Sequence, residues 1–322
     1  MRIYALGFAL IAGLAACSRP VDFLYRLREQ TTQEISHVHK LKELQGENKV
    51  DILWIIDNSG SMMSHHQALI QNADVFINQF VTTGGLEWKM GIVSTAVAEE
   101  PYVGFTPSTL LTYQTPDNVR VFKEAVADLG TSGDAFEKTF APLEQHLTDY
   151  PDFTRKNAVL AVIMVTDAPE QSRIPASRIV NFLTGLKGDL RRVVTYGVFA
   201  SNDFNCRDTD EPWDYAGSPY EELITATQGV TFKLCADFGQ SLADMGKDLV
   251  SRVKRPFIQL YERPLEASLR VVYKGKDLPG GPLESRGMWL YDFNHNRIVF
   301  HSLDFAPSDN EEVTVVYEIP ST

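Results

Sequence analysis

Asp57, Ser59 and Ser61 set one carboxylate and two hydroxyls at alternate positions in the run VDILWIIDNSGSMMS. Thr131, Ser132 and Asp134 add further oxygens in LGTSGDAFEKTF, and Asp167 closes the run AVLAVIMVTDAPE. Oxygen donors without sulfur or imidazole suit a hard divalent cation. The first string is unspecific alone, because a helix cap needs only one of its three residues. Its weight comes from the second carboxylate and the second pair of hydroxyls, provided that the fold brings them together.

The elements that would position them follow from the apolar pattern. Val50 to Ile56 reads as a strand buried on both faces, and shorter runs rich in Val and Ile recur at 88–95, 158–165, 193–199 and 229–235. Between them apolar residues step by three and four: Leu69, Ala73, Phe76 and Phe80; Phe136, Phe140, Leu143 and Leu147; Leu242, Met245, Leu249 and Val253. Strands alternating with amphipathic helices predict an α/β fold, a doubly wound, mostly parallel central sheet with helices on both faces. An extra strand is expected near 101–113. In such a sheet the loops at the carboxyl ends of the strands meet where strand order reverses. Asp57 and Asp167 each follow a strand, which would hold ligands more rigidly than a loop can. From Pro256 the rhythm changes: 267–274, 287–293, 297–301 and 313–319 read as strands with no helix between them, a small all-β segment over 256–322. Trp289, Tyr291 and Phe293 fall on one face at period two and are expected in its core.

With D-x-S-x-S, a middle-loop hydroxyl and a later strand-end aspartate in that order, the chain resembles a von Willebrand factor type A domain over roughly residues 48–255. The relatives in question occur in bacterial envelope lipoproteins. The resemblance implies a metal-ion-dependent adhesion site with Asp57, Ser59, Ser61 and Asp167 as ligands. Thr131 and Ser132 both fit the middle position, and Thr131 is preferred because a Thr-Ser/Asn-Gly sequence recurs in the bacterial relatives. It implies Mg²⁺, or another divalent cation such as Mn²⁺ or Ca²⁺, and a partner protein that offers an Asp or Glu to the ion. It also implies that the strands carrying Asp57 and Asp167 are neighbours. TDAPE departs from the more usual glycine or acidic residue after the aspartate.

The amino terminus carries a different signal. Arg2, the apolar stretch Ile3 to Leu14, and Ala15-Ala16 read as a signal peptide over 1–16, too short to span a bilayer. LAAC resembles the lipobox of bacterial lipoproteins, which implies cleavage before Cys17, acylation of its thiol and an anchor in the cell envelope, with Ser18 pointing to the outer membrane. Residues 17–47 then read as lipidated cysteine and tether, with His37 and His39 as solvated linker histidines. Export makes Cys206 and Cys235, the remaining cysteines, an expected disulfide.

The 322 residues carry a net charge of −12 with no basic stripe, which argues against a nucleic-acid partner. No G-x-x-x-x-G-K-[ST], G-x-S-x-G or H-E-x-x-H occurs, and the motifs offer no general base beyond the ligands themselves. His65 and His66 read as exposed first-turn helix residues, and Asp134 and Glu137 as helix N-terminal charges. The expectation is a binding module and not an enzyme, anchored to the envelope and dependent on a divalent metal. A structural scaffold with an incidental metal site, or a metal-dependent hydrolase, is the competing class.

Overall fold

A computed structural model describes residues 31–322 except 45, 84–85, 97–109, 134–135, 207–212, 283–284, 294, 304, 307, 309 and 322. Cys17, the signal peptide and Asp134 lie outside the described residues. The core of the chain is a six-stranded sheet. It contains β2 (Lys49–Ile56), β3 (Glu87–Ser94), β4 (Leu111–Thr112), β5 (Val159–Thr166), β6 (Val193–Phe199) and β7 (Val230–Lys233). Its order is β4-β3-β2-β5-β6-β7, and every pairing is parallel except β3 with β4. Strand order therefore reverses between β2 and β5.

β2 is apolar at almost every position because both of its faces are covered. Val50, Ile52, Trp54 and Ile56 pack with α1 (Met63–Thr83), α2 (Asn118–Leu129) and α6 (Phe238–Val253). Leu53 and Ile55 pack on the other side with α3 (Phe140–Asp149), α4 (Ala176–Lys187) and α5 (Pro219–Ala226). The alternation of a strand's side chains thus distributes one run between two cores. Phe76 and Phe122 both meet Trp54 edge-on, with ring centroids 5.0 and 5.4 Å away. Helix α3 begins at Phe140, so Phe136, expected on the same apolar face, lies in the preceding loop and is exposed.

A second unit is all-β. One sheet has the order β1-β13-β9-β10, with β1 (Thr32–Lys40), β13 (Glu312–Pro320), β9 (Arg270–Tyr273) and β10 (Lys276–Leu278). The other is β11-β12-β8, with β11 (Trp289–Asp292), β12 (Arg297–Phe300) and β8 (Phe257–Gln259). Val271, Trp289, Ile298, Phe300, Val313, Val315 and Tyr317 fill the space between them. Part of the stretch expected as a tether is therefore a strand: β1 pairs antiparallel with β13 along its whole length, and His37 and His39 belong to it. The expected aromatic face divides. Trp289 is buried, whereas Phe293 is exposed beyond the end of β11 beneath the Arg263 guanidinium.

Cys206 and Cys235 form a disulfide with Cα atoms 5.6 Å apart, joining the loop after β6 to the end of β7. Among the described residues no helix is long and apolar enough to cross a membrane.

Candidate metal centre

The strand registers bring the site together. Ile56 stands level with Ser94 of β3 and with Val165 of β5. Asp57, Thr95 and Thr166-Asp167 therefore leave three adjacent strands at one height, at the carboxyl edge where strand order reverses. Backbone bonds hold that alignment: Asp57 N–H donates to Val165 O at 2.9 Å, and Thr95 N–H to Ile56 O at 3.2 Å.

Asp57 is fully buried. Its Oδ1 accepts the Ser59 N–H at 2.9 Å and its Oδ2 accepts the Thr166 hydroxyl at 2.6 Å. Ser59 Oγ and Ser61 Oγ are 3.0 Å apart, so the two hydroxyls of the motif meet each other, with the Ser59 backbone joined to the carboxylate. Asp167 is 3% exposed, and its backbone carbonyl accepts the Trp213 indole N–H at 2.9 Å.

The middle loop reaches the motif through its backbone. Gly133 N–H donates to Asn58 O at 2.9 Å. A Cβ on Gly133 would run into the Asn58 side-chain amide, so glycine lets the loop approach without moving Asn58, which gives the Gly of the TSG sequence a local reason. Thr131 is half-buried and Ser132 exposed on this loop. The side chain from this loop that meets Asp57 is that of Glu137, which corrects its reading as a helix N-terminal charge. Glu137 is 2% exposed, three residues ahead of α3, and its Oε2 accepts the Thr95 hydroxyl. Burial first, then the Asp57 carboxylate, push its carboxyl up to about 8, with Asp167 adding to the effect.

The histidines also differ from expectation. His65 and His66 are buried, and His66 Nε2 donates to the Asp57 carbonyl at 2.7 Å. His66 thus helps to fix the backbone that presents the carboxylate. Helix α3 is capped from the Asp167 side: Glu170 Oε2 accepts Thr139 N–H at 3.0 Å and Phe140 N–H at 3.1 Å. Thr95, Glu137, His66 and Glu170 carried no motif signal. Glu137 had only its position inside an otherwise apolar periodic segment.

These residues fit a divalent cation. Asp57 and Glu137, both buried, face each other within reach of Asp167, and the charged groups that act on Glu137 among the described residues are these two acids. Such a cluster is stabilised by a cation or by protons. Hydroxyls from Ser59 and Ser61 add neutral oxygens of the type that Mg²⁺, Mn²⁺ and Ca²⁺ accept.

A second acidic group offers a contrast. Asp189, Asp292 and His295 bring three ligand-type atoms within 4.8 Å of one another. Arginines already neutralise it: Arg191 Nη2 donates to Asp292 Oδ1 at 2.7 Å and Arg297 Nε to Asp292 Oδ2 at 3.0 Å, while Arg191 Nε reaches Asp189 at 3.2 Å. Arg192 and Arg297 also both donate to Glu47, at 2.9 and 2.6 Å. This network ties the β unit to the α/β unit and leaves a cation little uncompensated charge. A cavity of about 160 Å³ opens beside it at the amino-terminal ends of β5 and β6, away from Asp57.

No protein-family model and no curated protein matches the sequence. Among solved structures, a von Willebrand factor type A protein from Catenulispora acidiphila is similar at 15% identity, covering 92% of this chain and 68% of its own, with a TM-score of 0.44. The SpRpn10 VWA domain is similar at 13% identity over 62% of this chain and 94% of its own, with a TM-score of 0.39. The pilus adhesin SpaC from Lactobacillus rhamnosus GG, in its open conformation, is similar at 13% identity over 89% of this chain, with a TM-score of 0.43. This chain spans 40% of that adhesin.

Proposed function

We propose that this protein is a divalent-cation-dependent protein-binding module tethered to the bacterial envelope. Asp57, Ser59, Ser61 and Asp167 hold the ion, with Thr131 supplying a hydroxyl from the middle loop, and Mg²⁺ is the physiological cation. The observation that carries the reading is Asp57: fully buried, its carboxylate met among the described residues by the neutral donors Ser59 N–H and Thr166 O–H, and faced by a second carboxyl instead of a base. When bound, the ion supplies a positive point at which an Asp or Glu of a partner protein is recognised. The surrounding residues keep that point dry and fixed. Trp213 and His66 anchor the backbone carbonyls of Asp167 and Asp57, and Thr166 orients Asp57. An otherwise acidic chain thereby gains a local attraction for an acidic partner. Acylation at Cys17 would keep the module at the outer membrane.

Calorimetric titration with Mg²⁺ and Mn²⁺ tests the core of this reading. Wild-type protein binds the ion, and Asp57→Ala and Asp167→Ala abolish binding without changing the far-UV circular dichroism. Cross-linked pull-downs from envelope extract then recover a partner in Mg²⁺ and lose it in EDTA. Full partner recovery by Asp57→Ala in EDTA overturns the metal mechanism. Replacing Cys17 with Ser releases the protein from the membrane fraction, and unchanged detergent partitioning of that variant overturns the anchor.

A further inference from the structure

Glu137 is a buried acid that the ligand set above does not use. Its backbone is held in place: the Glu137 carbonyl accepts the Gln171 N–H at 3.0 Å, and the N–H groups of Thr139 and Phe140 reach Glu170. The segment is thus fastened to the loop that carries Asp167. One side-chain oxygen, Oε2, accepts the Thr95 hydroxyl. The other, Oε1, is buried, meets no donor among the described residues, and belongs to a carboxyl that faces Asp57 within reach of Asp167.

Two facing carboxylates are both acceptors, and among the described residues no donor bridges them. A buried oxygen in that position is costly unless a proton or a cation lies between the two groups. Glu137 differs from a loosely tethered acid because Thr95 and the Gln171 bond set its direction. The three carboxylates come from the loops that follow β2 and β5 and the loop that precedes α3, each of them 3% exposed or less.

We propose that Glu137 is a third protein carboxylate ligand of the cation held by Asp57 and Asp167, so that a partner's acid must compete with a ligand that the chain itself supplies. The inference rests on the cation-binding reading above. Two carboxylates match the charge of a divalent ion, and a third leaves the occupied site negative by one. A further acid from a partner then gains little unless Glu137 withdraws, and withdrawal would strand a buried carboxylate. Partner capture is on this account weaker than a two-carboxylate site would allow, and it is set by how firmly Thr95 and Gln171 hold Glu137.

The test uses Mn²⁺ alone as probe, titrated into the full chain and followed by water-proton relaxation, which reports both affinity and the number of exchangeable waters on the ion. Glu137→Gln keeps the shape and removes the charge. It is expected to weaken Mn²⁺ binding by more than about tenfold and to add about one water to the bound ion. Thr95→Val leaves the carboxylate and removes its donor, and is expected to weaken binding by less. Unchanged affinity and hydration in Glu137→Gln, with Mn²⁺ binding lost in Asp57→Ala, overturns the role of Glu137 and leaves the cation site standing. No Mn²⁺ binding by the wild type overturns both. Should Glu137→Gln fail to fold, Thr95→Val decides, and wild-type affinity and hydration in that variant overturn the proposal.

Discussion

Asp51 and Asp57 stand at opposite ends of β2 and are both fully buried, yet their surroundings are opposite. At the lower end Arg155 encloses Asp51: its Nε donates to Oδ1 at 2.8 Å and its backbone N–H to Oδ2 at 2.6 Å. Burial pushes the Asp51 carboxyl up, and Arg155 and Lys89 pull it back. At the upper end Asp57 receives one amide and one hydroxyl, and the charged group it faces is another acid. Burial of a carboxylate therefore says little about function by itself. What separates the two ends is that the protein sets a base against Asp51 and a second acid against Asp57.

The largest effect expected from breaking this contrast lies at the lower end. Asp51→Ala leaves two Arg155 donors without their acceptor in a half-buried setting. The fold should lose about 3 kcal/mol in urea denaturation, in both Mg²⁺ and EDTA. A loss under about 1 kcal/mol would mean that Asp51 is no structural counterpart to Asp57.

Acid should also act on the structural end. His146, in α3, is 1% exposed and packs against Tyr150 and Phe153, with centroids 5.0 and 5.4 Å away. Burial lowers its pKa from 6.5 to about 4, against a small opposing effect of Asp149. Between those values the unfolded chain binds the proton and the folded one does not, so stability falls as pH drops from 6.5 to 4. The loss across that window is about 3 kcal/mol at most. His146→Phe should flatten the curve there, and an unchanged slope would show that His146 is not its source.

A somewhat smaller effect should mark the upper end. A ligand that binds only the folded state at 100 times its Kd stabilises it by about 2.7 kcal/mol. Saturating Mg²⁺ should raise the melting temperature of the wild type accordingly and leave that of Asp57→Ala unmoved. An equal rise in both would place the ion elsewhere, with the arginine-filled group at Asp189 and Asp292 the first place to look.

How much of this was legible in the sequence follows the same division. The run from Val50 to Ile56 declares itself because a strand covered on both faces has no polar alternation to hide it. Asp57, Ser59, Ser61 and Asp167 stand out because they follow such strands directly. Glu137 was obscured by its neighbours: Phe136 and Phe140 have helical spacing, but the helix starts at Phe140 and the chain before it turns into the site. β1 carries no strand signal because it is an edge strand, largely solvated, whose partner lies far along the chain. Contacts that depend on distant pairing or on a single buried acid leave no periodic trace.

The smallest predicted effect is the sharpest test of the comparison, because its sign changes with the ion. Asp57→Asn keeps the size of the side chain. The amide oxygen can still accept the Ser59 N–H, the amide nitrogen gains a Glu137 oxygen to which it can donate, and the Thr166 hydroxyl exchanges Oδ2 for its second acceptor, Ala168 O at 3.5 Å. In EDTA above about pH 8, where the Glu137 carboxyl gives up its proton, the exchange removes a like-charge contact and satisfies a buried acceptor, so Asp57→Asn should there be more stable than the wild type by about 1 kcal/mol. With Mg²⁺ the order should reverse, since the variant has lost a ligand charge and with it the stabilisation that binding confers. Thermal unfolding of both proteins in EDTA and in Mg²⁺ reads all four values. Destabilisation of Asp57→Asn in EDTA as large as that of Asp51→Ala would mean that Asp57 is held by the fold as Asp51 is, and the two ends of the strand would no longer differ in kind.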